Sequence, residues 1–282
     1  MINQFKQFTY KKFGISTFTS SLISAEHYKK YDPFIKILFA RAGSSIQIDF
    51  KKYNLKKDAL FFINVNQWYE LNQLGNNNSY LIYYNRDFYC VEIHDKEVSC
   101  DGILYNNVYE IPVVLLSKEH STMMEGIIKE LITELNQNES SAEEMLRILL
   151  KEIIIKSTRI WKTSHKLEGV DDQHEIEFLR KFSQLVELNF KQYHTVSDYA
   201  SILNITPKAL TKRISKYGKE TPNDIIKDRI ILEAKRLLAH SDMNVKEIAY
   251  ELGYDDPAYF NRLFAKVSDI APAEFRKQYK SN

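Results

Sequence analysis

The chain has 282 residues, of which 44% are hydrophobic and 27% are charged, with a formal net charge of +2. This composition suits a folded protein with apolar cores, and the length favours two domains. No apolar run is long enough to cross a bilayer and no secretory apolar region opens the chain, so we expect a cytoplasmic protein without membrane contact. Cys90 and Cys100 are too few for a disulfide scaffold or a four-ligand zinc site, so both thiols should be reduced.

Residues 1 to about 115 are predicted to form β-structure. The strand-like segments either alternate apolar with polar residues or are short and rich in aromatic and β-branched residues. These segments are 34–39, 46–50, 60–65, 80–84 and 89–93. Turn sequences at 42–44 and 75–78 separate some of them. Many short strands in succession favour a sandwich or a barrel.

Two amphipathic helices are expected within residues 119–162. The apolar stripe of the first consists of Met124, Ile127, Ile128, Leu131, Ile132 and Leu135. The stripe of the second consists of Met145, Leu146, Leu149, Ile153 and Ile154, and Ile148, Leu150 and Ile155 lie off it. A helix that is apolar beyond one face buries more than its own domain requires, which favours a dimer interface. The alternative is that both helices cover the β-domain. Residues 163–172, which are mostly polar or charged, form the expected linker.

The last hundred residues contain the pattern of a helix-turn-helix unit twice. First helices are expected within 195–204 and 244–253, and second helices at about 207–217 and 257–267. Equivalent positions pair Ala200 with Ala249, Leu203 with Leu252, Leu210 with Phe260, Ile214 with Phe264, and Pro222 with Pro272. Leu210, Ile214 and Tyr217 should pack inward in the first unit, and Phe260, Phe264 and Val267 in the second.

Both second helices present side chains that suit DNA on a face away from the apolar stripe. The first carries Lys208, Lys212 and Lys216, and the second carries Asn261, Arg262 and Lys266. Duplex DNA has a negative charge per ~1.7 Å of axis, so cations aligned along a helix suit it. Arg can fork onto guanine, Asn can pair with adenine, and Lys suits phosphate. The alternative, ordinary amphipathic helices with solvated lysines, does not explain two aligned copies.

A longer helix should join the two units. Thr221 is its expected N-cap, Pro222 its first residue and Asp224 an acid in its first turn. Its apolar set, which should pack against both units, consists of Ile226, Ile230, Ala234, Leu237 and Leu238. Asn244 and Asp255 are the expected N-caps of the second unit.

Charge separates the two parts of the chain. From Arg180 onward there are 18 Lys and Arg residues against 13 Asp and Glu, and the preceding part has 21 against 24. The positive charge therefore accompanies the repeats, and the weakly acidic first domain should not bind DNA itself.

Three C-terminal segments, VKEIAYELGY at 245–254, DPAYFNRLF at 256–264 and APAEFR at 271–276, resemble the AraC/XylS family of bacterial transcription regulators. The resemblance covers residues 176–280. It implies a seven-helix domain whose two reading helices enter successive major-groove segments, ~34 Å apart. The base-reading positions that it implies are Lys208, Thr211 and Lys212 in the first unit and Ala258, Asn261 and Arg262 in the second.

The chain departs from the family pattern in the first unit. Ile214 and Ser215 stand where Phe and Lys are usual, and Gly218 comes one residue early. Ala258 is small and could contact only a thymine methyl group. These departures concern the set of contacts rather than the family.

For the first domain, the resemblance implies a cupin-like barrel that binds a small effector. Residues 58–69 resemble a cupin hairpin, with Tyr69 where such hairpins often have His. A metal-dependent cupin needs clustered ligands, whereas His27, His94 and His120 are far apart, so no metal is expected. The aromatic residues could line a pocket or form ordinary core, and no ligand residue is assigned.

The combined prediction is an α+β protein with two domains. Residues 1–162 form a cupin-like β-barrel with a helical dimerisation segment (β-structure 1–115, helices 119–162), and 163–172 form the linker. Residues 173–282 form an all-α double helix-turn-helix domain. The predicted function is sequence-specific transcription regulation by a homodimer without a cofactor. Its expected partners are double-stranded DNA, RNA polymerase and a small-molecule effector.

Two other functions compete with this one. They are a cupin-type enzyme and a co-regulator that carries a DNA-localising domain. The sequence shows no Ser/His/Asp or Cys/His grouping, no metal cluster and no phosphate loop, so we expect no enzyme.

Overall fold

The computed structural model describes residues 2–18, 31, 33–65, 67–89, 104–105, 113–137, 139–164, 173–215 and 221–280. The chain divides into two compact units, Met1–Asp171 and Asp172–Asn282. The division falls within the predicted linker, although the helix before it continues to Ser164, two residues beyond the predicted end of the first domain.

The described part of the first unit contains two antiparallel sheets. Its strands are β1 (Ile2–Phe8), β2 (Lys11–Phe18), β3 (Ile35–Ala40), β4 (Ser45–Ile48), β5 (Lys51–Asn54), β6 (Ala59–Ile63), β7 (Tyr69–Gln73), β8 (Ser79–Tyr84) and β9 (Val113–Leu115). One sheet has the order β1-β2-β8-β3-β6-β9, and the other has the order β5-β4-β7. No strand ladder joins them within the described residues, so the predicted closed barrel is not seen there. The described strands form two separate sheets.

Four of the five predicted strands are confirmed within two residues at each end, as β3, β4, β6 and β8. The fifth was predicted at 89–93. Tyr89 follows β8 without belonging to a strand, and 90–93 lie outside the described residues. The sequence patterns missed the β1–β2 hairpin. Thr9 in its turn is left-handed at φ 59°. Gly or Asn usually marks such a turn in a sequence, and this turn has neither.

Strand β3 is central because both of its faces are buried. Ile37 and Phe39 point into one cluster and Leu38 and Ala40 into another, as expected for residues that alternate along a strand. The first cluster is completed by two helices, α1 (Lys118–Asn136) and α2 (Ala142–Ser164). The second cluster is completed by residues of β4 and β7. The large sheet therefore lies between a helical layer and the small sheet.

The apolar stripe of α1 packs as predicted, with five of its six residues buried and Ile132 half-buried. The stripe of α2 differs in detail. Met145, expected inward, is 45% exposed, and Leu150, expected off the stripe, is fully buried. Ile148 is 51% exposed. The helix is thus rotated slightly from the prediction, because its inward face follows 146, 149, 150, 153 and 154.

A buried ion network joins α1 to the large sheet. Arg41, at the end of β3, contacts Asp58 at 3.0 Å and Glu125 of α1 at 2.6 Å. Burial opposes ionisation of Asp58, but hydrogen bonds from Ser121, the Ala42 backbone and Arg41 hold the pKa of Asp58 below its usual value. Loss of one partner from a buried pair typically costs about 3–5 kcal/mol, so this contact fixes α1 on the sheet.

The described part of the second unit consists of helices. They are α3 (Gln173–Asn189), α4 (Val196–Ile202), α5 (Pro207–Ser215), α6 (Pro222–His240), α7 (Val245–Glu251), α8 (Pro257–Ser268) and α9 (Pro272–Lys280). These seven helices match the number that the resemblance implies. The helix pairs α4–α5 and α7–α8 are the two predicted helix-turn-helix units.

Helix α6 lies at the centre of the second unit and contacts each of the other six helices. Thr221 and Asp224 form a capping box at its start, and Pro222 occupies its first turn, as predicted. Ile226, Ile230, Ala234 and Leu238 of the predicted apolar set are buried, and Leu237 is half-buried. The apolar residues of this helix are therefore covered by the neighbouring helices of both helix-turn-helix units.

An ion network fastens α6 to α3. The buried Arg229 guanidinium donates to both carboxylate oxygens of Glu187, at 2.5 and 2.9 Å, and to Glu233 at 3.0 Å. The same guanidinium lies 3.9 Å from the ring centroid of Phe190. Burial opposes ionisation of Arg229, yet its two carboxylate partners keep the pKa above the usual value. The charge is thus compensated, as a buried guanidinium requires.

The burial of Ala234 predicts the effect of placing a charge there. Ala234→Glu should lower the stability of the second unit by about 3 kcal/mol or more, because a carboxylate would be buried without a partner. Ala239→Glu, at a half-buried position of the same helix, is the matched control and should cost clearly less. Thermal and urea unfolding of both variants measure the difference. Equal melting of Ala234→Glu and the unmodified chain would contradict the packing of α6.

Candidate nucleic-acid interface

The two helix-turn-helix units begin in the same way. Thr195 caps α4 and forms a capping box with Asp198, and Asn244 caps α7 and forms a capping box with Glu247. In each box the cap side chain accepts from a backbone N–H and the acid accepts from the cap's own N–H. The sequence identified Asn244 as a cap, and the structure confirms it.

The turns of the two units also have the same hydrogen bonds. The Ile205 N–H donates to the Ala200 carbonyl at 3.0 Å, and the Tyr254 N–H donates to the Ala249 carbonyl at 2.9 Å. The residue before each donor is left-handed: Asn204 has φ 55° and Gly253 has φ 81°. A left-handed residue that closes a helix in this manner reverses the chain within a few residues.

The second helices bury equivalent residues. Leu210 and Ile214 of α5 are fully buried, as are Phe260 and Phe264 of α8. These four residues confirm the predicted inward stripes. Val267, expected inward, is only half-buried because it lies in the last turn of α8, and Tyr217 lies outside the described residues.

On α5, the predicted DNA-facing side chains Lys208, Thr211 and Lys212 are exposed. Lys216 lies outside the described residues. The Thr211 hydroxyl donates to the Pro207 carbonyl at 2.9 Å, so the helix backbone already accepts its proton. The neighbouring Arg213 instead lies over the ring of Phe178 on α3, 3.5 Å from the ring centroid.

On α8, the predicted residues are likewise exposed: Ala258, Asn261, Arg262 and Lys266. The Arg262 side chain is 70% exposed, and the one ion contact it makes with the described residues, to Asp256, is long at 3.8 Å. A contact between two such exposed groups is worth little, so the guanidinium can be recruited by a ligand.

The N-cap of α8 corrects one prediction. Asp256, rather than Asp255, caps this helix, and its carboxylate accepts from the Ala258 N–H at 2.8 Å. Pro257 is the first helical residue, so the cap must be the residue directly before it.

Two exposed aromatic residues of the second unit were not identified as site candidates. Tyr250 on α7 is 50% exposed and Tyr259 on α8 is 49% exposed. The Lys246 amine lies 5.8 Å from the Tyr250 ring centroid. Tyr259 lies beside Ala258 and outside the Phe260 stripe, a spacing that could have identified it.

The interior of the first unit holds a cation beside an aromatic ring. Lys36 is fully buried on β3; its amine donates to the Tyr31 carbonyl at 3.2 Å and lies 5.7 Å from the Tyr69 ring centroid. Tyr69 is the residue that stands where cupin hairpins often have His. Among the described residues, no group of three or more His, Cys, Asp or Glu could hold a metal ion. None of the described helices is long and apolar enough to cross a membrane.

Residues 199–278 match the family model described as a helix-turn-helix domain. The match includes both of the helix-turn-helix units described above, so this part of the chain is a helix-turn-helix domain. The domain formed by these residues is similar to the helix-turn-helix domain of AraC-family transcription regulators.

Several curated proteins are similar to part of this chain. The chain is 26% identical over 147 residues to the lactose operon transcription activator of Staphylococcus xylosus, covering 52% of this chain and 50% of that protein. It is 36% identical over 87 residues to the uncharacterized HTH-type transcriptional regulator YijO of Escherichia coli, covering 31% of each. The chain thus spans half or less of the length of these curated relatives. The solved structure of ToxT from Vibrio cholerae aligns over 94% of this chain and 97% of its own at 17% identity, with a TM-score of 0.43.

Proposed function

We propose that this protein binds specific double-stranded DNA through α5 and α8 and thereby regulates transcription. The observation that carries the proposal is the repeated geometry of the two units. Each has a capped first helix, the same left-handed turn, and a second helix that buries one stripe and exposes polar side chains on another face. Such helices enter the major groove in this class of domain.

The exposed residues suggest a division of roles. Lys208, Lys212 and Lys266 suit phosphate, because an ammonium group is a compact charge with rotatable donors. For Lys208 and Lys212 this role replaces the base reading that the family resemblance implies. Lys216 lies outside the described residues, and we assign it the same role from its sequence spacing alone. We assign base reading to the remaining exposed residues, with Arg262 on guanine, Asn261 on adenine, Ala258 on a thymine methyl group and Thr211 on either base edge.

Rigidity of the second unit supports simultaneous reading by both helices. Helix α6 packs on each unit, and Arg229 fixes it to α3. Because the frame is preordered, the two helices would not lose additional conformational freedom when they bind neighbouring grooves. The family spacing of ~34 Å, one turn of DNA, is the separation that we propose.

For the first unit we propose binding of a small effector and formation of a homodimer. The buried polar and aromatic interior near Lys36 supports the effector hypothesis, and no ligand residue is assigned. The two half-exposed apolar residues one turn apart on α2, Met145 and Ile148, support the dimer. Activation through contact with RNA polymerase is proposed because the Staphylococcus xylosus relative is named a transcription activator.

A cupin-type enzyme and a co-regulator with a DNA-localising domain are the competing proposals. No specific contact in the described residues favours either of them. The exposed faces of α5 and α8 are common to all three proposals, so binding assays on DNA and turnover assays on any retained small molecule separate them.

DNA binding predicts selection and a salt dependence. The full-length protein should enrich specific duplexes from a random pool, and its affinity should fall steeply with salt as counterions are released. Changing both Lys208 and Lys212 to Gln should reduce the slope of log affinity against log salt by about two. The paired change of Lys56 and Lys57 to Gln, on the exposed loop before β6, is the control and should leave the slope unchanged. Failure to enrich any sequence would refute the proposal.

Arg262 and Lys266 separate base reading from phosphate contact. Arg262→Ala should weaken binding to the selected site by about 1–3 kcal/mol and relax the preference at one base position. Lys266→Ala should instead weaken all sequences similarly and lower the salt slope by about one. Specificity profiles and salt titrations of both variants measure this. An even loss across sequences for Arg262→Ala would make Arg262 a phosphate contact and move base reading to Asn261 or to α5.

The dimer hypothesis predicts a single-site effect on α2. Native mass spectrometry of the full-length protein should show a dimer, and any retained small molecule would appear as an added mass. Ile148→Glu should shift the population to monomer, because a charge in an apolar interface is desolvated without a partner. Arg159→Glu, an exposed charge reversal on the same helix, is the control. An unmodified chain that is monomeric at micromolar concentration would contradict the dimer.

A further inference from the structure

The two left-handed turn residues occupy equivalent positions but meet different surroundings. Asn204 carries an exposed side chain at φ 55°, so the turn geometry by itself accepts a residue with a Cβ. At Gly253, a Cβ would overlap the carbonyl oxygen of Lys191 and lie 3.3 Å from Cε1 of His194. The glycine is therefore required by a close approach of backbone to backbone, and the left-handed conformation alone does not explain it.

This close approach joins the second helix-turn-helix unit to the chain segment that leads into the first helix-turn-helix unit. Residues 190–195 connect α3 to α4, the first helix of the first unit. His194 Nε2 lies 3.0 Å from the Leu252 carbonyl, and since a carbonyl only accepts, Nε2 carries the proton. The His194 ring stacks on Tyr254 with centroids 4.3 Å apart and an interplanar angle of 16°. An ion pair between Lys191 and Glu251 lies alongside.

Each side of this contact is fixed to a reading helix or its partner. The Tyr199 hydroxyl of α4 donates to the Tyr193 carbonyl at 3.1 Å. This hydrogen bond anchors the connecting segment to the first helix-turn-helix unit. Tyr254 packs on Phe260 of α8 with ring centroids 5.5 Å apart, and its burial raises its pKa. The contact thus runs from α4 through the connecting segment to the buried face of α8.

The contacts in this region differ in how much they contribute to holding the two helix-turn-helix units together. Lys191 and Glu251 are both nearly half-exposed, and such pairs contribute at most about 1 kcal/mol. The Gly253 approach leaves no room for a Cβ, and the His194 ring is held by both a hydrogen bond and a ring stack. Helix α6 connects the two helix-turn-helix units through its packing on both of them. The contact at Gly253 and His194 is a second, separate connection between them.

We propose that Gly253 and His194 are positioning residues that set the spacing and relative angle of α5 and α8, and so the distance between the two base-reading sites on DNA. This inference rests on the proposed DNA binding. Two binding elements held on one frame reinforce each other only when their geometry matches both sites. A looser frame should therefore tolerate altered spacing and bind the correct spacing less tightly.

The experiment compares Gly253→Asn with Asn204→Gly in the full-length protein. Asn accepts the left-handed conformation, as Asn204 shows, so Gly253→Asn mainly introduces the overlap with Lys191. Asn204→Gly changes the equivalent turn without adding an atom there. The probes are the duplex selected by the unmodified protein and two derivatives with one base pair inserted or removed between its two recognised halves.

The unmodified protein and Asn204→Gly should both lose about tenfold or more in affinity when the spacing changes. Gly253→Asn should bind the selected duplex about tenfold more weakly and differ less than about threefold among the three spacings. Its base preference within each half should persist, which a general loss of folding would not allow. An unchanged spacing profile for Gly253→Asn, or an equal flattening by Asn204→Gly, overturns the inference.

A second variant covers the case in which Gly253→Asn does not fold, as judged by circular dichroism. His194→Ala removes the hydrogen bond and the ring stack without adding an overlap, and it should flatten the profile partially. A profile like that of the unmodified protein would overturn the inference. If the unmodified protein selects no duplex, the proposed DNA binding itself is refuted, and this inference with it.

Discussion

The burial of α6 is the constraint on which the second unit depends. This helix contacts every other described helix of the C-terminal unit and buries Ile, Leu and Ala side chains against them, while Asp224 and Asp228 stay exposed. The buried charge of Arg229 is compensated by Glu187 and Glu233, and its guanidinium lies over the Phe190 ring. Because a single helix organises both helix-turn-helix units, their orientations follow from one packed core. Exposed side chains on α5 and α8 can then differ without altering the frame that presents them.

The first unit uses a similar solution with different elements. Strand β3 is buried on both faces, and the Arg41 network joins the end of this strand to α1. Helix α2 then packs beside α1 on the apolar cluster that contains Ile37 and Phe39 of β3, and Ile148 of α2 stays exposed. An effector in this unit would therefore act on elements that are packed against the proposed dimer surface. Such proximity provides a physical route by which occupancy could alter association.

The two turns show how a repeat can diverge while its geometry is kept. Both have the same hydrogen bonds and the same left-handed residue, yet one accepts Asn and the other requires Gly. The difference arises outside the repeat, from the Lys191 backbone that lies against the second turn. Gly253 therefore reflects a long-range contact as well as its local conformation.

The sequence by itself determined the local features of this protein. Capping chemistry acts over a few residues and places the helix starts at Thr221 and Asn244. Periodicity, which is also local, predicts four of the strands and the inward stripes at Leu210, Ile214, Phe260 and Phe264. Tertiary structure decided what depends on distant partners. It set the rotation of α2, the separate sheets in the described part of the first unit, the use of Arg213 against Phe178, and the close approach at Gly253. Periodicity specifies which face of an element is apolar, but the neighbour that covers that face is fixed only when distant segments pack together.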